Sequence, residues 1–178
     1  MILTFTIASN EVEDFAMKIH IEANATFEDL HRSIQEACGY MDFGVHRFYV
    51  CDEDWCPEHR IFQTDKGVSA DVDVYLMDET PLEDFLEDEG QRLAYRFDPE
   101  SRRLLLMEVS ATTFGKSLPE PIVKKHGEPP MQMLIEEEPA PQTTTPNATD
   151  EELEESFYGD DGFEEGELDE EGFDVVEQ

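Results

Sequence analysis

The chain has 178 residues, of which 45 are acidic and 12 are basic, and its net charge is −33. A protein that binds nucleic acid or an anionic membrane directly usually presents a basic stripe, and no such stripe is visible here, so the composition disfavours both functions. Residues 131–178 hold 18 of the acidic residues and none of the basic ones, so residues 1–130 carry a net charge of −15. That first part is long enough for one domain with its own core.

The cysteines and the N-terminus indicate the compartment. Cys38, Cys51 and Cys56 make an odd number, and the first ten residues have neither a basic lead nor a long apolar run. An odd cysteine count without a secretory signal is typical of a reducing compartment. We therefore expect a cytoplasmic protein without a membrane anchor.

The chain begins with two runs of alternating apolar and polar residues, at 2–8 and 15–21, joined by a polar turn. Alternation with period two is typical of strands, and two such runs around a short turn predict a β-hairpin with one buried face.

A helix is predicted next, over residues 26–38. Thr26 is a suitable N-cap, Asp29 completes a capping-box pair three residues later, and Gly39 is placed to end the helix in the left-handed conformation. Its apolar residues recur with helical spacing and form one stripe: Phe27, Leu30, Ile34, Ala37 and Cys38.

The remaining alternation predicts four further strands, at 45–51, 71–77, 93–97 and 103–109. Between them we expect an irregular loop at 52–70, a short helix at 81–88 and a proline-rich surface loop at 113–130. A hairpin followed by one main helix laid across a mixed sheet is an α+β, β-grasp-like arrangement.

The composition changes sharply near the end of this domain. Residues 133–149 are rich in proline and threonine, and residues 150–178 are acidic with scattered aromatics. Such a composition cannot bury enough apolar surface to offset the entropy of ordering. We therefore predict a domain at 1–132, a linker at 133–149 and a disordered acidic tail at 150–178.

Three segments of the domain carry a family resemblance. Residues 26–48 contain Leu30-His31, Ile34-Gln35, Ala37, Gly39-Tyr40, His46 and Phe48, residues 93–98 read LAYRFD, and residues 127–130 read GEPP. With these segments the chain resembles the plasmid pRiA4b ORF-3-like family, also described as insertion-element passenger (TnpR-like) proteins, over about residues 1–130. The wording ASNEVEDF and CDEDW is similar to that of acidic members from Bacteroides-like bacteria. The resemblance implies an association with mobile elements and no known reaction.

The chain departs from the family pattern after Phe97-Asp98. The family commonly continues with Gly-Asp and then a Trp and a His, whereas this chain continues with Pro99 to Arg103. The family's proline-rich closing loop, of which GEPP at 127–130 is the remnant, lacks its cysteines in this chain. Any metal binding or chemistry of those positions is therefore not carried over to this chain.

Possible metal ligands occur in the first half of the chain: His31, His46, Cys51, Cys56 and His59. Zinc favours closed sets of Cys and His, but no CxxC pair is present and a second pair of ligands would have to come from distant positions. We interpret His31 and His46 as buried histidines with satisfied partners, and we expect neither a metal site nor a cofactor.

The sequence does not single out catalytic residues, because its many carboxylates resemble solvated charge runs and nucleophile or phosphate-loop motifs are missing. The favoured hypothesis is a non-enzymatic cytoplasmic module that binds another macromolecule. The alternative is a metal-dependent enzyme acting on nucleic acid in a mobile-element context, with Mg²⁺ at a carboxylate cluster such as Asp52 and Asp54.

Four residues are candidates for contacts with a partner. Trp55 is either an anchor of its loop on the core or an exposed contact residue of the kind enriched at interfaces. In the tail, Phe163, Leu168 and Phe173 are spaced by five among acidic residues. A tail of this composition is by default a solubilising brush, but spaced hydrophobes also predict contact points on a basic protein partner.

Overall fold

The computed structural model describes residues 1–65 and 74–134. In chain order these form β1 (Ile2–Ser9), β2 (Ala16–Glu22), α1 (Phe27–Cys38), β3 (Arg47–Cys51), β4 (Pro57–Phe62), β5 (Tyr75–Leu76), a 3₁₀ turn (Leu82–Asp84), β6 (Arg92–Arg96), β7 (Leu104–Thr113) and β8 (Ile122–His126). The predicted α+β class, with one main helix and a mixed sheet, is confirmed. The predicted tail and most of the predicted linker lie outside the described residues, so the domain limits stay predictions.

The eight strands form one sheet in the order β5-β4-β3-β6-β7-β1-β2-β8. Every pairing is antiparallel except that of β4 with β5, at one edge. The predicted hairpin is the β1–β2 pair, in which Ile7 lies opposite Met17. No helix in the described ranges is both long and apolar enough to cross a membrane.

The helix α1 forms for the reasons that its sequence predicts. The side chain of Thr26 accepts a hydrogen bond from the backbone N–H of Asp29, and the Asp29 carboxylate accepts one from the backbone N–H of Thr26, which completes the capping box. Gly39 ends the helix with φ of 69°. Leu30 and Ile34 are fully buried against the sheet, so this face of α1 closes the hydrophobic core.

Two predicted loops were wrong because each contains a strand. Residues 57–62 of the expected loop at 52–70 form β4, and residues 122–126 of the expected loop at 113–130 form β8. Both strands are poor in buried residues, since β4 buries only Ile61 and Phe62 and β8 buries none. The backbone ladder rather than an alternating buried face holds them, so their sequences carry little strand signal.

The predicted helix at 81–88 was also wrong, and only a 3₁₀ turn at Leu82–Asp84 forms there. Its backbone N–H groups are used elsewhere: that of Leu82 donates to the carbonyl of Ala25 at 2.8 Å, and that of Glu83 donates to the carbonyl of Ala23 at 2.8 Å. These bonds tie the segment to the turn before α1. A longer helix does not form because the backbone N–H groups of Glu87 and Asp88 donate to the side chain of Gln91 at 2.7 and 2.8 Å, and not to carbonyls four residues earlier.

The strands at the centre of the sheet separate two kinds of residue. On the face that packs against α1, here called the core face, Phe48, Val50, Leu93 and Tyr95 are buried. Their neighbours along β3 and β6 point to the opposite side, here called the outer face. That face carries Arg47, Tyr49, Cys51, Arg92, Ala94 and Arg96.

Candidate functional site

A group of polar side chains lies within the core face at one end of β3 and β6. The Nδ1 atom of His31 is 2.8 Å from the hydroxyl of Tyr95, and the ring centroids of His31 and His46 are 5.2 Å apart. Gln63 reaches Nε2 of His31 at 3.2 Å and also donates to the carboxylate of Asp42 at 2.8 Å. We call these five residues the histidine junction.

The environment shifts the pKa of three residues in the histidine junction: His31, Tyr95 and Asp42. Burial, with a smaller contribution from His46, lowers the pKa of His31 to about 4, so its ring is neutral near pH 7. Burial also raises the pKa of Tyr95 well above its usual value. Partial burial acts to raise the pKa of Asp42, but hydrogen bonds from Gly44 and Gln63 outweigh it and the net shift is downward. These partners indicate a structural role for the junction.

The structure does not bring the candidate metal ligands together. His46 belongs to the histidine junction, and His59 packs on Phe85, with 5.0 Å between the ring centroids. Cys51 lies on the outer face, and Cys56 is exposed in the loop between β3 and β4. Among residues 1–65 and 74–134, no group of three or more His, Cys, Asp or Glu side chains is placed to hold a metal ion.

Trp55 lies outside the hydrophobic core, so the interpretation of this residue as a core anchor was wrong. It is half-buried, and the guanidinium carbon of Arg92 lies over its ring at 5.2 Å from the centroid. The carboxylate of Asp52 shapes the loop by accepting the backbone N–H groups of Asp54 and Cys56 at 2.9 and 2.8 Å. Trp55 itself has φ of 63°, a left-handed conformation that is unfavourable for a bulky side chain. Such strain is often found at functional sites.

Beside Trp55 the outer face forms a concave cleft of about 430 Å³. Four of the seven arginines in the chain line it: Arg47 from β3, Arg60 from β4, Arg96 from β6 and Arg102 from the turn before β7. The other lining residues are Tyr49, Cys51, Trp55, Pro57, Ala94 and Leu104. We call this surface the arginine cleft. None of these lining residues is acidic, in a chain with 45 carboxylate side chains.

Among the described residues, the four arginines of the cleft have no carboxylate partner. Within the described part of the chain, the only arginines in ion pairs with carboxylates are Arg32, Arg92 and Arg103. Arg96 is held instead by neutral carbonyl groups, since its Nε donates to Ser101 at 2.8 Å and its Nη2 donates to Pro99 at 3.1 Å. The cleft is therefore a local concentration of positive charge on an acidic domain.

Comparison with known proteins identifies the family. The family model described as Plasmid pRiA4b ORF-3-like protein matches residues 6–129, which is more than half of the chain. The chain belongs to the pRiA4b ORF-3-like family. A search of curated proteins found no match. Among solved structures, a protein of unknown function from Methanosarcina mazei Go1, MM3350, is similar with a TM-score of 0.54 and 17% identity, over 70% of this chain and 68% of that chain. A likeness at this identity shows the fold alone.

The residues behind the pRiA4b ORF-3-like resemblance meet at one corner of the domain. His31 and His46 lie in the histidine junction, and the ring of Tyr40 stacks on that of Phe97 at 5.4 Å between centroids. The hydroxyl of Tyr40 donates to the carbonyl of Pro130 at 2.8 Å, which fastens residues 127–134, here called the closing segment, to the end of α1. In this chain, therefore, the motif joins the helix, the strand ends and the closing segment.

The arginine cleft was not recognised from the sequence. Its arginines come from four separated segments and share no spacing, so no motif search detects them. The only available signal was the alternation within β3 and β6, which puts Arg47 and Arg96 on the same side of the sheet. The remaining predicted contact residues, Phe163, Leu168 and Phe173, lie outside the described residues.

Proposed function

We propose that the chain is a non-enzymatic cytoplasmic interaction module that holds an anionic part of a macromolecular partner in the arginine cleft. The observation that carries this proposal is the gathering of Arg47, Arg60, Arg96 and Arg102 in one cleft whose described lining contains no acidic residue. Without a ligand, this arrangement places like charges side by side, which is unfavourable. An anionic group in the cleft would convert the repulsion into charge-assisted hydrogen bonds.

The composition of the cleft supports binding rather than catalysis. Tryptophan, tyrosine and arginine are the side chains most enriched among residues that dominate binding energy, and Trp55 and Tyr49 lie beside the four arginines. A guanidinium group remains charged at any relevant pH, so it is suited to hold an anion and is a poor general acid or base. The acidic surroundings favour a partner that presents its negative charge only within the cleft.

The test is capture of a partner from host lysate by the full-length chain, by residues 1–132 and by two double variants. Arg60→Gln/Arg102→Gln removes two exposed cleft arginines, and Arg32→Gln/Lys116→Gln removes the same charge elsewhere. A partner of the cleft should be retained by the control variant and lost by the cleft variant. Equal capture by both variants would contradict the proposal.

The acidic tail is proposed as a second contact, with a basic protein partner. The support is its sequence, since 15 carboxylates without a basic residue attract a basic surface and Phe163, Leu168 and Phe173 add regularly spaced apolar contacts. Binding of a peptide of residues 150–178 to basic host proteins should weaken steeply with salt, because exposed charges are screened over about 8 Å at physiological ionic strength. If changing the three hydrophobes to Ser leaves binding intact, the tail acts only through charge.

We place this module in a mobile-element context, as the plasmid name of the family and the resemblance to insertion-element passenger (TnpR-like) proteins suggest. Within the family we propose the acidic, Bacteroides-like type on the basis of the segments ASNEVEDF and CDEDW. Location of the gene beside transposition genes in its genome would support the context. Its location in a housekeeping operon across related strains would oppose it.

A further inference from the structure

The arginine cleft has the size of a small-molecule site. Its volume of about 430 Å³ falls within the usual range of ligand pockets, roughly 300–1,000 Å³. Most of its wall comes from β3, β4 and β6, which are adjacent strands of the sheet, so its shape is set by backbone pairing rather than by a free loop. A site built on strands holds its side chains in more precise positions than a loop does.

One polar atom in the cleft residues lacks a partner within the described part of the chain. The Nε atom of Arg47 is buried and makes no hydrogen bond to residues 1–65 or 74–134, although the guanidinium carbon lies 5.2 Å from the centroid of the Phe62 ring. A buried donor without an acceptor costs about 1–3 kcal/mol, so such groups are rare and usually have a functional reason. Rotation of the Arg47 side chain toward the cleft would bring this donor to an oxygen of a bound anion, which would supply the missing acceptor.

Arg96 is already oriented for a ligand. Its Nε and Nη2 atoms donate to the carbonyl oxygens of Asp98, Ser101 and Pro99, at 3.2, 2.8 and 3.1 Å. These bonds fix the plane of the guanidinium without neutralising it. The entropy of ordering this side chain is therefore lost on folding and not again on binding.

The number of arginines favours a phosphate group over a carboxylate. A carboxylate is satisfied by one guanidinium in a two-pronged pair, whereas a phosphate monoester offers three terminal oxygens and close to two negative charges. Four arginines exceed the needs of a carboxylate and match those of a phosphate. Trp55 and Tyr49 add ring surfaces to the same cleft, and bases stack on such rings.

The charge of the rest of the domain limits the length of the ligand. Residues 1–130 carry −15, so a long polyanion that leaves the cleft would meet repelling carboxylates. A small ligand lies within the cleft, and charges farther away than about 8 Å are largely screened at physiological ionic strength. This distinction favours a free nucleotide over a nucleic acid strand.

We infer that the arginine cleft binds a small phosphorylated ligand with a planar ring, of which a nucleoside monophosphate is the simplest member. The phosphate lies among Arg47, Arg60, Arg96 and Arg102, and the ring stacks on Trp55. This inference rests on the proposed function, because it assigns a ligand class to the same cleft.

The chain contains its own reporter for this ligand, because Trp55 is its single tryptophan. We would titrate the full-length protein with adenosine monophosphate, inorganic phosphate and adenosine, following tryptophan fluorescence and checking each affinity by calorimetry. The monophosphate should change the fluorescence saturably and bind roughly tenfold or more tighter than either fragment, since it uses both parts of the cleft. Its affinity should also fall as salt is raised.

Variants of the cleft test which residues bind the phosphate of the ligand and which bind its ring. Arg60→Gln/Arg102→Gln should lower affinity for the monophosphate by about tenfold or more, whereas the charge-matched Arg32→Gln/Lys116→Gln should leave it unchanged. Trp55→Leu, measured by calorimetry, should lose the advantage of the monophosphate over phosphate and keep the affinity for phosphate. Circular dichroism and urea unfolding show whether each variant is folded.

The other outcomes separate this inference from the proposed function. Equal binding of phosphate and the monophosphate would overturn the role of the ring. Binding of an acidic or phosphorylated peptide but not of the monophosphate would overturn the inference and leave the interaction module standing. If no anion binds and the cleft variants behave like the control in lysate capture, both proposals are wrong.

Discussion

The core face and the outer face of the same strands use alternate residues for different physical tasks. On the core face, His31 is buried and neutral and is bonded to Tyr95 and Gln63. On the outer face, Arg47 and Arg60 are charged and have no carboxylate partner among the described residues. The buried residues of the family motif, such as His31 and Tyr95, therefore hold the fold together. The cleft arginines face the opposite side of the sheet, although Arg96 belongs to the motif segment LAYRFD.

The largest effect should come from breaking the core face at its centre. Leu30 is fully buried in the stripe of α1, so Leu30→Ala should lower the free energy of unfolding by about 2–5 kcal/mol, through lost burial and the cavity left behind. Urea unfolding of the full-length chain measures this. A loss well under 1 kcal/mol would mean that α1 does not pack on the sheet as described.

Substitution of two glycines tests how tightly the closing segment packs against the backbone near Asp14. Gly127 and Gly44 have φ of 71° and 70°, but a Cβ at Gly127 would lie 2.3 Å from the carbonyl oxygen of Asp14, whereas none of the described atoms lies within 4 Å of one at Gly44. Gly44→Ala should cost only the left-handed conformation, about 1–2 kcal/mol, and Gly127→Ala should cost about 1–2 kcal/mol more because backbone must move. Thermal unfolding of both variants gives the difference. Equal costs would show that the chain near Asp14 yields easily.

The pH dependence of stability tests whether His31 is neutral within the histidine junction. The pKa of His31 is about 4 in the folded chain and near 6.5 when unfolded, so the unfolded chain binds its proton more readily. The stabilising effect of the neutral ring is fully present above pH 6.5 and is lost as the pH falls from 6.5 to 4. It should reach about 3 kcal/mol in the free energy of unfolding.

The matched control for this pH effect is His31→Asn, which keeps a polar group near the hydroxyl of Tyr95 and removes the titration. His46, Asp42 and Arg32 are present in both proteins, so the difference between the two stability curves reports His31 together with its interactions with these neighbours. That difference should slope between pH 6.5 and 4 and be flat above pH 7. Parallel curves over the whole range would mean that His31 is protonated without cost.

The elements that were predicted correctly are those whose capping or alternation pattern lies in adjacent residues. The capping pair of Thr26 and Asp29, the αL position of Gly39 and the alternation of β1 and β2 are all written in adjacent residues, and each was confirmed. The edge strand β8 is held by its backbone pairing with β2, and nothing in the sequence of β8 indicates this pairing. The 3₁₀ turn at Leu82–Asp84 likewise depends on carbonyls that lie almost sixty residues earlier.

In the candidate site, too, the features set by local sequence patterns were predicted and those set by long-range contacts were not. Burial of His31 and His46 with satisfied partners was predicted from their positions in the helix and strand pattern, and it was confirmed. The arginine cleft depends on the order of strands in the sheet, because β4, β3 and β6 bring Arg60, Arg47 and Arg96 together. Strand order is a long-range property, so spacing along the chain could not predict this site.

The smallest effect on stability should come from a substitution on the outer face. It tests directly whether the side chains of that face contribute to the fold. Arg60 is exposed and has no ion-pair partner among the described residues, so Arg60→Gln removes no packing and no salt bridge. The free energy of unfolding should change by less than about 0.5 kcal/mol, as for ordinary surface substitutions. It should rise slightly at low salt, because the variant relieves repulsion from the other cleft arginines. Urea unfolding at two salt concentrations measures both effects. A loss of 2 kcal/mol or more, roughly the cost of breaking a buried polar contact, would show that Arg60 stabilises the fold, as the histidine junction does. In that case the outer face would not be reserved for binding.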